Sequence, residues 1–295
     1  MQIKEGFVPF HGHQTYYKIV GTCEPGKYPL VLLHGGPGAL HNYLLSMTPI
    51  AEHGRAVVFY DQIGCGKSPA DLPDDAWTED LFCDELDTLR AALGLDKVHL
   101  LGQSCGGMLA QHYMLFHGEP QGVLSLVLAS TMPSMKIWGQ EANRLRSYLP
   151  PEMRAAIDEA ERTGDYSTPA YQAAEAEYYR RHVCSFDPWP QDIVDSLCNT
   201  GRCYNLMQGQ SEFDISGNLR DWDSTDELHR IQVPVLLTSG NDDESTPLIN
   251  KTMFDRIPDC RWDLIPHGTH VCHYEFPEHY NSVVEQFLEE VEAAL

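Results

Sequence analysis

Basic residues are scarce in this chain: 20 Lys and Arg stand against 43 Asp and Glu, a formal charge of −23 at pH 7. Such a surface repels phosphate backbones and anionic headgroups, so neither nucleic acid nor a membrane surface is expected as a partner. It would instead favour small cations nearby. No apolar run reaches eighteen residues, which argues against a transmembrane helix. Met1-Gln2-Ile3-Lys4-Glu5 enters mixed polar and apolar sequence without a signal-peptide core. The nine cysteines are odd in number and scattered, with no Cys-x-x-Cys and no Cys/His zinc spacing. Reduced thiols in a cytoplasmic chain, with neither metal nor cofactor, are therefore expected.

What is present is ample apolar material, 42% of 295 residues, enough for one α/β core carrying an insertion. Glu5 to Phe10 and Gln14 to Val20 read as an edge hairpin. Apolar strands follow at Pro29 to Leu33, Ala56 to Tyr60, Val98 to Leu101 and Gly122 to Ser130. Helical patterns at Tyr43 to Glu52, Thr78 to Leu93 and Gly107 to Phe116 separate them. This alternation predicts a mostly parallel sheet with helices on both faces. It breaks from 132 to 230, where four helices are predicted: Ile137 to Tyr148, Pro151 to Arg162, Thr168 to Val183 and Pro190 to Leu206. The sheet resumes at Val233 to Thr238 and Cys260 to Ile265, and Pro277 to Leu295 reads as a closing amphipathic helix. Residues 1–131 and 231–295 are thus expected to form the core domain. Residues 132–230 are expected to form a helical cap domain, a lid over the C-terminal edge of the sheet.

Chemistry concentrates where strands end. Gly102-Gln103-Ser104-Cys105-Gly106-Gly107 joins a strand to a helix, and small residues around Ser104 suit a sharp turn that lifts the hydroxyl above the sheet. The helix N-terminus there favours developing negative charge. Cys105 beside the serine raises the alternative of a thiol nucleophile, but Ser104 holds the centre of the turn. His34-Gly35-Gly36-Pro37-Gly38 ends an earlier strand and could turn backbone N–H groups toward an oxyanion. Asp61 to Ser68 lacks the spacing of a phosphate-binding loop and reads as a buttress, with Asp61 holding it by hydrogen bonds. After the last strands come Asp242-Asp243-Glu244 and then His267 and His270. Serine, acid and histidine therefore occur in that order, each at a strand end. Spacing does not choose among the three acids or between the two histidines.

Taken together, His34-Gly35-Gly36-Pro37-Gly38, Asp61-Gln62-x-Gly64-x-Gly66-x-Ser68, the Ser104 motif and Gly240-x-x-Asp243 resemble the proline iminopeptidase family of α/β-hydrolases. The likeness spans nearly the whole chain, insertion included, and leans toward the tricorn-interacting aminopeptidases and L-amino-acid amidases. It implies an α/β-hydrolase fold with Ser104 as nucleophile, Asp243 as acid and His270 as base. It further implies an oxyanion hole from the N–H groups of Gly36 and Cys105, and Glu212 and Glu244 binding the substrate's free amino group. Cys105 departs from the family, where an aromatic residue is common. The implied activity is release of an N-terminal proline or apolar residue from a short peptide or amino-acid amide through an acyl-enzyme, by a chain expected to be monomeric. An amidase, esterase or lyase using the same triad would not need Glu212 and Glu244, and a binding protein on this fold would not need the triad.

Overall fold

The computed structural model describes residues 1–118, 120–198 and 200–295. Among these, the strands join into one eight-stranded sheet in the order β1-β2-β4-β3-β5-β6-β7-β8. β1 (Ile3–Phe10) and β2 (His13–Val20) form an antiparallel hairpin, and β2 runs antiparallel to β4 (Val57–Tyr60). From β4 onward, β3 (Leu30–Leu33), β5 (Val98–Gln103), β6 (Val123–Ala129), β7 (Val235–Gly240) and β8 (Cys260–Ile265) are parallel. The central strands are continuous apolar runs because both faces of the sheet are covered. Leu30 and Leu32 pack into one apolar layer while Val31 and Leu33 pack into the other, as a two-residue period requires.

One layer is closed by α1 (Glu79–Leu93) and α2 (Cys105–Leu115). Thr78 caps α1 by accepting from the Leu81 N–H, and Gly94 ends it in the left-handed region. The segment Asn42–His53 packs on the other face as 3-10 turns rather than the helix expected there. Pro49 lies inside it and has no N–H to give, which disfavours continuous α-helical bonding.

Between β6 and β7 stand α3 (Met135–Arg146), α4 (Pro151–Thr163), α5 (Pro169–His182), α6 (Gln191–Leu197) and α7 (Gly201–Met207). The single helix expected over Pro190–Leu206 is two, α6 and α7, and residue 199 of that stretch lies outside the described residues. α8 (Pro247–Phe254) follows β7. α9 (Cys272–Glu275) and α10 (Pro277–Ala293) end the fold, α10 lying against the layer that holds Leu30 and Leu32. Arg55, fully buried, is held there by Glu285 at 2.9 Å and Glu292 at 2.6 Å, so its charge is neutralised where water is excluded. No helix among the described residues is long and apolar enough to cross a membrane.

Candidate active site

The turn at Ser104 follows from its neighbours. Ser104 adopts φ 56° and ψ −127°, a region that L-residues rarely occupy, immediately before the first residue of α2. A β-carbon at Gly106 would lie 2.1 Å from the Leu33 carbonyl oxygen, so only glycine lets the helix start so close to β3. One at Gly35 would lie 2.8 Å from the Ser104 β-carbon, which shows how near the His34–Gly38 loop comes to the serine. The Ser104 N–H donates to the Ala129 carbonyl at 2.9 Å, and the Thr131 hydroxyl donates to the Ser104 carbonyl at 2.7 Å.

Of the three acids after β7, Asp242 is exposed while Asp243 and Glu244 are buried. His270 Nδ1 lies 2.8 Å from Asp243 Oδ1, and the same oxygen accepts from the Ser245 N–H at 2.7 Å. The Ser245 hydroxyl donates to the Thr131 carbonyl at 2.6 Å, so one threonine steadies both the serine turn and the acid loop. His267 projects into solvent with its side chain 88% exposed, 3.9 Å from Asp242, and takes no part in the cavity.

Ser104 and His270 line a partly open cavity of about 250 Å³ together with Gly36, Cys105, Glu212 and Glu244. The structure thus brings the candidate residues of the sequence together around one space, with Asp243 directly behind His270. Cys105 is the first residue of α2, so its N–H has no acceptor within the helix. Its thiol is buried, and burial pushes its pKa well up, leaving the neutral, weakly nucleophilic form.

The cavity wall is acidic. Glu212 Oε1 accepts from the Tyr204 hydroxyl at 2.6 Å. Glu244 Oε1 sits 3.7 Å from His270 Nε2, and its Oε2 is buried without a full hydrogen bond among the described residues, although the Tyr178 hydroxyl lies near enough to the carboxyl to lower its pKa. Burial, then the charges of Glu212 and Asp243, push Glu244 well above the usual carboxylate range. Burial also raises Glu212, although the Tyr204 hydroxyl and nearby His270 oppose the shift. Trp138 packs against His270 with ring centres 5.8 Å apart, and its buried indole N–H lies close enough to Glu212 to lower that carboxyl's pKa without making a full hydrogen bond.

Tyr43, which the sequence did not single out, and several residues of the quoted motifs hold these parts in register. The Tyr43 hydroxyl accepts from the Gly35 N–H at 2.8 Å and donates to Gln103 Oε1 at 2.5 Å. Gln103 Nε2 in turn donates to the His270 carbonyl at 3.0 Å, so one chain of bonds joins the glycine loop, the elbow and the histidine loop. His34 is buried and its pKa is lowered to about 4, so its neutral ring accepts from the Gln62 N–H at 2.9 Å. Asp61 accepts from the His41 N–H at 3.0 Å and the Lys67 N–H at 2.9 Å, which fixes the loop from 61 to 68. All nine cysteines are free, and no group of three His, Cys, Asp or Glu among the described residues could hold a metal.

A buried Ser–His–Asp grouping at the C-terminal edge of a parallel sheet defines the class, a serine hydrolase on the α/β-hydrolase fold. The family described as alpha/beta hydrolase fold matches residues 28–277. A proline iminopeptidase of Clostridium botulinum is 43% identical over 290 residues, covering 98% of this chain and 99% of that protein. Another from Lacticaseibacillus rhamnosus is 44% identical over 293 residues, with 98% and 99% covered. The crystal structure of a Mycobacterium smegmatis proline iminopeptidase superimposes with a TM-score of 0.91 at 41% identity, covering 99% of each chain. This chain belongs to the α/β-hydrolase fold family and, within it, to the proline iminopeptidase family of serine-type peptidases.

Proposed function

We propose that this enzyme releases an N-terminal proline or apolar residue from short peptides or amino-acid amides, and that it recognises the substrate by its protonated amino group. Ser104 attacks the acyl carbon, His270 takes the serine proton and returns it to the leaving amine, and Asp243 fixes the imidazole tautomer. Water then resolves the acyl-enzyme by the same route. The N–H groups of Gly36 and Cys105 receive the developing oxyanion.

The observation that carries the reading is Glu244 Oε2, a buried carboxylate oxygen without a full hydrogen bond among the described residues, in the same cavity as Ser104 and Glu212. Two buried carboxylates lining one pocket repel each other, and a cation between them relieves the repulsion. A substrate ammonium supplies that cation and places the adjoining carbonyl near Ser104. A cavity of about 250 Å³ falls below the usual range for drug-sized ligands, which suits an aminoacyl group with a short extension.

Residues 132–230 serve as a lid over a core formed by 1–131 and 231–295, and the lid keeps folded chains out. Nine unpaired thiols fit a reducing cytoplasm. The strongly acidic composition agrees with a partner that is a small cationic substrate, with nucleic acid and membrane surfaces disfavoured.

The test is a matched panel of amino-acid anilides, free and N-acetylated, assayed on wild type, Glu212→Gln and Glu244→Gln. Wild type is expected to prefer the free amine by at least about 10² in kcat/KM, and each variant to erase most of that preference. Equal losses on both substrate forms, or a wild type that prefers the acetylated form, would replace this reading with a general amidase or esterase.

A further inference from the structure

A third carboxylate stands at the edge of the cavity and has no role in the reaction just described. Glu175, on α5, lines this cavity and also an outer groove of about 560 Å³. Tyr179, Trp189 and Cys198 are shared between the two hollows in the same way. These side chains therefore form the partition through which the two spaces adjoin.

The chemistry of that partition suits a cation. Tyr179 and Trp189 have their ring centres 6.0 Å apart, inclined at 31°, beside the carboxylate. Aromatic faces next to a carboxylate attract an ammonium both by charge and through the ring quadrupoles. Glu175 Oε1 accepts from the Tyr171 hydroxyl at 2.8 Å; burial raises the pKa of this carboxyl, and the bond, which favours the ionised form, opposes that rise. Arg180, the basic side chain of the groove, is paired with Glu177 at 2.8 Å and is not free to neutralise Glu175. Neither lysine nor arginine lines the inner cavity among the described residues, and Glu244 Oε2, without a full hydrogen bond among them, lies within it. Glu175 also lies near enough to Glu212 for the two carboxylates to repel, so a cation passing Glu175 moves toward a second acidic group.

We infer that the substrate's ammonium passes from the outer groove into the cavity between Glu175, Tyr179 and Trp189, and that Glu175 is the specificity-determining residue that recruits it. The inference rests on the aminopeptidase reading above. It adds the path and a filter ahead of the site: amines that are protonated and uncapped are drawn in, while acylated or anionic molecules are not.

The experiment compares wild type, Glu175→Gln and Glu175→Lys on free and N-acetylated anilides at low and high ionic strength. Glutamine still accepts from Tyr171, so Glu175→Gln removes the charge and keeps the contact. For the free amine its KM is expected to rise about 3- to 10-fold with kcat within about twofold, and Glu175→Lys to raise KM further. The acetylated substrate should be indifferent to both variants, and added salt should raise the wild-type KM more than that of Glu175→Gln. An unchanged KM in Glu175→Gln, or an equal loss on both substrates, overturns the role given to Glu175. If wild type itself shows no preference for the free amine, the aminopeptidase reading fails and this inference with it. If that preference stands while Glu175→Gln is silent, only the recruiting role fails.

Discussion

The Gln103 side-chain amide donates to the main-chain carbonyl of His270 at 3.0 Å, so the residue preceding the elbow serine holds the loop that carries the proposed base. Its other end accepts from Tyr43, whose hydroxyl also accepts from the Gly35 N–H. Tyr43→Phe removes both Tyr43 bonds and leaves a buried N–H unpaired beside the proposed oxyanion hole. Small misplacements of reacting groups are costly, so kcat should fall between about 10- and 100-fold with little change in KM. A loss under about twofold would mean that the network is not needed for alignment.

Ser104→Ala should lower kcat by on the order of 10⁴ or more, while Cys105→Ala should leave most of the activity. An active-site phosphonate should label wild type and Cys105→Ala alike, and peptide mapping should find the adduct on Ser104. An adduct on Cys105 would reverse the assignment.

Glu212 and Glu244 are both raised by burial, and Glu244 further by its neighbours' charges, so the empty site retains protons that free carboxylates would lose. An ammonium stabilises the ionised forms, and its binding should therefore release protons. KM for free-amine substrates should fall as pH rises through the raised carboxylate range. It should climb again above about 8, where an α-amino group loses its own proton. Calorimetric titration of Ser104→Ala with a dipeptide, in two buffers of different ionisation enthalpy, measures the release directly. Identical heats in the two buffers would contradict it.

Away from the cavity, Glu85 is fully buried, bonded to the Thr15 hydroxyl and accepting from the Ile63 N–H at 2.9 Å. Burial raises its pKa from 4.5 to about 8. The folded state therefore holds a proton that the unfolded chain gives up above about 4.5, so this contribution is complete below that pH and is lost as pH climbs toward 8. Glu85→Gln mimics the protonated form. Urea unfolding at pH 5.5 and pH 8 should show a flatter pH dependence in the variant, by on the order of a few kcal/mol. Parallel curves would show that Glu85 ionises in the folded state as it does in the unfolded chain.

The strand positions could be anticipated because each buried strand is an apolar run closed by glycine or a polar loop, as at Leu30–Leu33 and Val98–Gln103, whereas their order in the sheet had no local signature. Ser104 stood out because the glycines that its turn requires, Gly102 and Gly106, lie two residues to either side of it in sequence. Asp243 could not be told from Asp242 or Glu244 by spacing; what separates them is burial behind His270, a tertiary fact. Tyr43 and Glu175 had no local signature at all. One lies in a stretch that reads as an ordinary amphipathic helix, the other among many acids of the cap, and only the fold sets them beside Gln103 and the cavity. The stretch Pro190–Leu206 misled because helical periodicity survives an interruption between α6 and α7.

The carbonyl of His182, at the end of α5, accepts from the N–H groups of both Glu244 and His270, at 3.2 and 3.0 Å. The next carbonyl, of Val183, accepts from Val271 at 3.1 Å. This corner of the roof is thus sewn to the two loops that carry the proposed acid and base. Lifting it would strip those loops of their main-chain acceptors, so a molecule caught with this seam undone would have lost the alignment of its own proton-transfer pair. If residues 132–230 act as the proposed lid, traffic and turnover are compatible only where that lid yields away from this seam, and a peptide too bulky for the remaining gap would be refused before any bond is broken.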